Sequence, residues 1–260
     1  MKKEFLCGLL AAAVLSVPVQ GARTVPVQVD GTPLSPPSYL ERGVTYTPLR
    51  QLLETMGGWE VSWDAQAGNA VAVSDSARLT ADPSANRITV NGTAYSGHVT
   101  VQNGRTYVPL RLVSEALGGS ADWDPWMSGA AVTSPDAGYP AADLYWLSRI
   151  IYAESGGEPM EGQIAVGNVV LNRVASPEFP NTIPSVIFDR KHAVQFEPVS
   201  NGMVYQTPSA KSVEAAKRVL SGERVLENAL YFYAPALSPG TWIHTNRPYD
   251  RTIGCHRFYL

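Results

Sequence analysis

The sequence predicts an α+β protein: two tandem small β-β-α-β-β modules, then a mostly helical region with a small β element. Three observations lead there. Residues 23–137 contain an internal repeat built on Asp-Gly and Asn-Gly dipeptides flanked by apolar alternation. Beyond residue 140 the apolar residues switch to spacings of three and four. Between the two regimes, residues 134–140 carry Pro135, Gly138 and Pro140 beside Asp136, the composition of a linker.

At the N-terminus, Lys2-Lys3 precede an apolar run over residues 5–17, and small residues follow at Gly21 and Ala22. This is the layout of a secretory signal peptide over residues 1–22. The run is shorter than the ~20 apolar residues of a spanning helix, so no stable membrane anchor is expected after its removal. Cys255 would then be the only cysteine, and stability must come from cores.

The repeat is specific. Val29-Asp30-Gly31-Thr32 returns as Val90-Asn91-Gly92-Thr93, and Thr45-Tyr46-Thr47-Pro48-Leu49-Arg50 as Thr106-Tyr107-Val108-Pro109-Leu110-Arg111, both at an offset of 61. Gly57-Gly58 returns as Gly118-Gly119, and Trp63-Asp64 as Trp123-Asp124. The modules are expected at about residues 23–83 and 84–137. In each, hairpins lead to Pro-Leu-Arg opening a short helix, which ends at Gly-Gly before another strand pair. The repeated aromatics Tyr46, Tyr107, Trp63 and Trp123 are expected to pack in the modules' own cores; exposed, they would instead attach the chain to the wall or to a protein partner.

This pattern resembles the paired modules called the copper amine oxidase N-terminal-like domain. Copper itself is not expected, because residues 23–137 hold one histidine, His98, expected at the surface, and no cysteine. The same region carries 7 Arg and no Lys against 11 acidic residues, and the whole chain has a net charge of −3, which excludes a nucleic-acid partner.

Residues 138–260 carry the chemistry. Leu144, Leu147, Ile150 and Ile151 repeat at helical spacing, placing Glu154 at the end of an apolar helix broken by Gly156-Gly157. A carboxyl held there is either solvated at a helix end or desolvated with a raised pKa, ready to protonate a glycosidic oxygen. Pro159 and Glu161 suit the first turn of a second helix, which runs through Ile164, Val166, Val169, Val170 and Val174 to Ser176-Pro177. Glu158 is the nearest second carboxylate, and is read either as a cap of that helix or as a group near substrate.

Other chemistries have less support. His192, His244 and His256 lack metal-ligand spacing, so no metal or cofactor is expected. Cys255 beside His256 leaves a cysteine amidase open, and no Gly-x-Ser-x-Gly elbow appears.

From Tyr152-Ala153-Glu154 through Val170-Leu171-Asn172-Arg173, Val186-Ile187-Phe188, Gln195-Phe196, Ala229-Leu230-Tyr231-Phe232-Tyr233 and Ile253-Gly254-Cys255-His256-Arg257-Phe258-Tyr259, the chain resembles the SleB/CwlJ family of bacterial cell wall hydrolases, the spore cortex-lytic enzymes. The resemblance implies a lysozyme-like catalytic domain over residues 138–260, with Glu154 as catalytic acid. It also implies peptidoglycan glycan strands as substrate, a place in the cell wall or spore envelope, and cleavage of the MurNAc-GlcNAc backbone by lytic transglycosylation. One departure is Ser155-Gly156, where many members read Ala-Arg. Candidate sugar contacts are Glu158, Gln195, Phe196, Tyr231, Trp242 and His256, with Tyr205 and Tyr233 as further rings. The alternatives are a two-carboxylate muramidase or glucosaminidase, a Cys255-dependent amidase or peptidase, and a wall-binding protein without catalysis.

Overall fold

The computed structural model describes residues 21–191, 195–238 and 240–260. All but the end of the expected signal segment, and His192, lie outside the described residues.

Strand β1 (Arg23–Val25) precedes the first repeat: β2 (Val27–Val29), β3 (Thr32–Pro33), β4 (Ser38–Glu41), β5 (Val44–Pro48), α1 (Leu49–Met56), β6 (Glu60–Asp64) and β7 (Asn69–Val73). β8 (Arg78–Asp82) then leads to the second: β9 (Arg87–Val90), β10 (Thr93–Ser96), β11 (Thr100–Gln102), β12 (Arg105–Pro109), α2 (Leu110–Ala116), β13 (Ser120–Asp124) and β14 (Gly129–Thr133). Asp30-Gly31 and Asn91-Gly92 turn with both residues at positive φ (48° and 84°; 49° and 84°), the two-residue hairpin geometry these dipeptides favour.

The two units are halves of one domain. β5 pairs antiparallel with β12, with Tyr46 opposite Pro109 and Tyr107 opposite Pro48, so a pseudo-two-fold axis passes between Thr47 and Val108. The β2–β3 hairpin of the first repeat joins β14–β13 of the second through a parallel β2/β14 pair, giving the sheet β13-β14-β2-β3. Its counterpart is the sheet β10-β9-β8-β7-β6, in which β8 is inserted between the equivalent strands. One core spans both repeats, with Leu49, Leu52 and Leu53 of α1 beside Leu110 and Val113 of α2. Neither unit could bury these residues alone.

Tyr46 is 8% exposed and stacks on Tyr39, as expected of a core ring. The tryptophans depart from that expectation: Trp63 is 48% and Trp123 42% exposed. They lie on β6 and β13, end strands of their sheets, where one flank has no neighbouring strand among the described residues. His98 is exposed, with Nδ1 2.9 Å from Asn86 Oδ1.

The second half consists of α3 (Ala141–Ser155), α4 (Met160–Ala175), α5 (Ile183–Ile187), α6 (Glu197–Asn201), α7 (Ala210–Leu220), β15 (Tyr231–Tyr233), α8 (Thr241–Asn246), β16 (Tyr249–Ile253) and β17 (His256–Tyr259). The three strands form an antiparallel sheet in the order β15-β17-β16. Helix α4 is buried without interruption from Gly162 to Val170, a central helix with neighbours on every side. At Gly167 a Cβ would come 2.9 Å from Val219 and 3.0 Å from Ile151, so the missing side chain lets α3 and α7 close onto α4.

The halves are joined by more than the linker. The tip of the β13–β14 hairpin docks on the helical half: Trp126 stacks on Phe188 (centroids 5.6 Å, 17°), and Asp124 accepts a 2.6 Å bond from the buried Trp146 indole of α3. The linker is held as well, with Ser134 N donating to Asp30 and Ala141 N to Thr133 Oγ1.

Candidate functional site

Helix α3 delivers Glu154 in its last turn because Leu144, Leu147, Ile150 and Ile151 pin the preceding turns into the core. Gly156 then closes the helix with its N–H on Tyr152 O. Glu154 is half-buried, and its carboxyl pKa is raised to about 7. Loss of hydration on burial is the main cause, the negative charge of Glu197 adds to it, and the Arg173 guanidinium opposes both. A carboxyl with that pKa is populated in both forms near neutrality.

Arg173 comes from the last turn of α4 and is 4% exposed. Its Nε donates to Leu230 O at 2.8 Å, while Phe179, Phe196 and Tyr231 surround the guanidinium with centroids 4.9, 5.0 and 5.6 Å away. Aromatic faces stabilise a cation that water does not reach. Burial nevertheless lowers its pKa to about 10, and one terminal nitrogen has no hydrogen-bond partner among the described residues.

An aromatic wall extends outward from this cage. Tyr231 lies between Arg173 and the guanidinium of Arg247, 4.4 Å from its ring, and meets Trp242 edge-on at 5.9 Å. Trp242 is 57% exposed and Tyr231 half-buried. Gln195 is half-buried just before Phe196, the N-cap of α6, whose first residue is the exposed Glu197. Tyr205 packs edge-on against Trp146 with over half its surface exposed, and Tyr233 stacks on Tyr259.

Three expectations require correction. Phe196 does not offer a face to sugar: it is 2% exposed and forms part of the core and the Arg173 cage. Glu158 makes no capping bond to the helix starting at Met160. Its carboxylate instead accepts from Cys255 N at 2.9 Å, tying the α3–α4 turn to the β16–β17 turn. His256 is 6% exposed, wedged edge-on against Phe232, with burial lowering its pKa despite the nearby Glu158.

The α3–α4 turn is braced further: Gln163 Nε2 donates to the carbonyls of Gly156 and Glu158, Lys211 Nζ donates to Glu158 O, and Ser212 Oγ donates to Gln163 Oε1. Cys255 is an exposed free thiol whose pKa is pushed up by the Glu158 carboxylate beside it, the reverse of an activated nucleophile. Arg173 and Glu197 were not foreseen as members of the site. An arginine inside the apolar pattern of α4 was the available signal for the first; Glu197 has no local signature.

Residues 157–259 match the family model described as Cell Wall Hydrolase, and residues 28–128 match the Copper amine oxidase N-terminal domain. The cell wall hydrolase CwlJ of Bacillus subtilis is 32% identical over 126 residues, covering 46% of this chain and 85% of that protein. The chain belongs to the cell wall hydrolase family. A second relative, a spore cortex-lytic enzyme of Bacillus cereus, is 39% identical over 126 residues, covering 48% of the chain. The chain spans 47% of that relative's length. Among solved structures, the catalytic domain of the germination-specific lytic transglycosylase SleB from Bacillus anthracis is 39% identical, covering 47% of this chain and 98% of that one, with a TM-score of 0.43. The hydrolase family match begins three residues after Glu154, so the assignment of that residue rests on geometry.

Proposed function

We propose that this protein cleaves the glycan backbone of peptidoglycan outside the cell as a lytic transglycosylase, with Glu154 as its single acid and base. The observation that carries the reading is the pKa of about 7 at a half-buried carboxyl. In the acid form, Glu154 donates its proton to the glycosidic oxygen as the bond to the anomeric carbon breaks. The resulting carboxylate then removes the proton of the sugar's 6-hydroxyl as that oxygen bonds to the anomeric carbon, closing a 1,6-anhydro ring. No water is consumed, and Glu154 ends protonated as it began. Tyr231, Trp242 and Gln195 are read as flanking the strand, with Glu158 and His256 supporting the walls. The relatives named for spore cortex lysis and cell wall hydrolysis support the substrate class.

One observation favours a second reading. The charge of Glu197 bears on Glu154, so a two-carboxylate hydrolysis would use Glu197 as base toward a water, with Glu158 excluded by its bond to Cys255 N. Digestion of purified peptidoglycan with mass analysis separates the readings. Products one water lighter than hydrolytic fragments support transglycosylation, reducing-end products support the glutamate pair, and free peptides would sink both.

A further inference from the structure

The N-terminal domain has two grooves, of about 870 and 380 Å³, that the pseudo-two-fold axis relates to one another. Eleven of the twelve residues lining the smaller groove have their repeat equivalents lining the larger. Each groove is built across the repeats. In the larger, the β4–β5 turn of the first unit faces α2 and β13 of the second; in the smaller, the β11–β12 turn of the second unit faces α1 and β6 of the first. One copy of the unit supplies only half of each groove.

Each groove carries one exposed tryptophan, Trp123 in the larger and Trp63 in the smaller, at the same repeat position. The equivalent arginines Arg111 and Arg50 line the same grooves, each paired with the glutamate one turn on, Glu115 or Glu54, and a second arginine, Arg23 or Arg105, lines each groove as well. Four of the seven arginines of this acidic half are thus drawn to the two grooves. Neither indole belongs to the core of the domain, and the Arg23 guanidinium lies over one face of the Trp123 ring, 5.6 Å from its centroid.

We propose that these grooves are paired binding sites for the amino-sugar strand of the wall, an inference that rests on the reading of that polymer as substrate. An exposed indole presents a flat apolar surface to the C–H face of a pyranose, and guanidinium groups supply planar donors to hydroxyl and acetamido oxygens. The smaller groove adds Gln51, Ser62 and Asn103 as polar partners. A site present twice suits a polymer of repeating units, because the second engagement is intramolecular and multiplies affinity. The larger groove also adjoins the helical half: Trp123 is followed by Asp124, which bonds Trp146 of the helix bearing Glu154. A strand held on Trp123 is therefore tethered to the cleaving half through a fixed contact.

The test uses the full chain carrying Glu154→Gln, so that bound glycan is not cut, and measures sedimentation with purified insoluble sacculi. Trp63→Ala and Trp123→Ala are each expected to weaken binding about tenfold or more. The double variant should retain only the binding of the helical half, and Trp→Tyr at either position should recover most of the loss. Thermal unfolding checks that the variants fold, and quenching of the fluorescence of the Glu154→Gln chain by a chito-hexaose, weakened in the double variant, gives a second readout. Unchanged binding by a folded double variant overturns the proposal. So does competition by free stem peptides but not by the oligosaccharide, which would make these peptide sites. Product analysis with both tryptophans and Glu154 intact tests the functional reading separately: sacculi bound but uncut would refute cleavage and leave the sites standing.

Discussion

The acid role proposed for Glu154 depends on three local influences, of which burial is the largest. Burial and the Glu197 charge both favour the protonated form, while Arg173 favours the carboxylate, and the net effect is a pKa of about 7. Replacing Glu154 by Gln keeps the shape and removes the proton, so glycan cleavage should fall by at least about 10² to 10⁴, the usual contribution of general acid catalysis. The same variant should be more stable than the natural chain at alkaline pH. The unfolded carboxyl titrates near 4.5 and the folded one near 7, so the natural chain loses stability as pH rises between those values and stays at the lower level above. Discounted for the partial exposure of Glu154, the gain at pH 8 should be about 1–3 kcal/mol and vanish below pH 4.5, read by denaturant midpoints across that range. Glu197→Gln tests the second influence. Without that negative charge the pKa of Glu154 falls, and the alkaline limb of the pH–rate profile should move to lower pH. A profile that stays in place would remove Glu197 from the tuning of the acid.

At the scale of elements, the site is a junction of turns fastened to α4. Asn168, Asn172 and Arg173 of that helix bond the backbone of residues 223–230, and Gln163 bonds the carbonyls of the α3–α4 turn. The two helices and their Gly-Gly break were legible from apolar periodicity, because α3 and α4 bury faces whose spacing is local information. The fastenings were not, since each polar side chain meets a backbone group more than fifty residues away or a turn whose shape tertiary packing decides. Glu158 illustrates the difference: helix-dipole reasoning makes it a cap, yet a turn 97 residues distant offers Cys255 N–H and takes the carboxylate. Gly254 makes that contact possible. At its φ of 55° a Cβ would lie 1.7 Å from Glu158 Oε2, so Gly254→Ala must both strain the backbone and expel the carboxylate. A loss of about 1–3 kcal/mol is expected in denaturant unfolding, with Cys255→Ser much milder because it keeps the backbone N–H and a side-chain donor toward Glu158.

At the scale of the whole molecule, the repeat was readable and its interlocking was not. An offset of 61 reveals two similar units but cannot say that β5 pairs with β12, or that the first hairpin of one unit completes the last sheet of the other. The docking of the halves did have a signal, in a turn where the repeat diverges in character. The turn after Trp63-Asp64 reads Ala65-Gln66-Ala67, and its counterpart after Trp123-Asp124 reads Pro125-Trp126-Met127. Both aspartates close their turns identically, Asp64 accepting from the N–H groups of residues 66 and 67 and Asp124 from those of 126 and 127. Only Asp124 has a further role: its second oxygen holds the buried Trp146 indole, beside which Trp126 stacks on Phe188. Comparing Asp124→Ala with Asp64→Ala therefore isolates the interface from the turn. The turn contribution is common to both and cancels, whereas Asp124→Ala also leaves a buried indole N–H without its charged acceptor, at a cost of about 1–3 kcal/mol. Asp124→Ala should lower the unfolding midpoint more than Asp64→Ala by that margin. Because Trp146 belongs to the helix that positions Glu154, it should also slow glycan cleavage, while Asp64→Ala should not. Equal losses of stability at the two positions would mean that the hairpin tip adds nothing beyond its own turn.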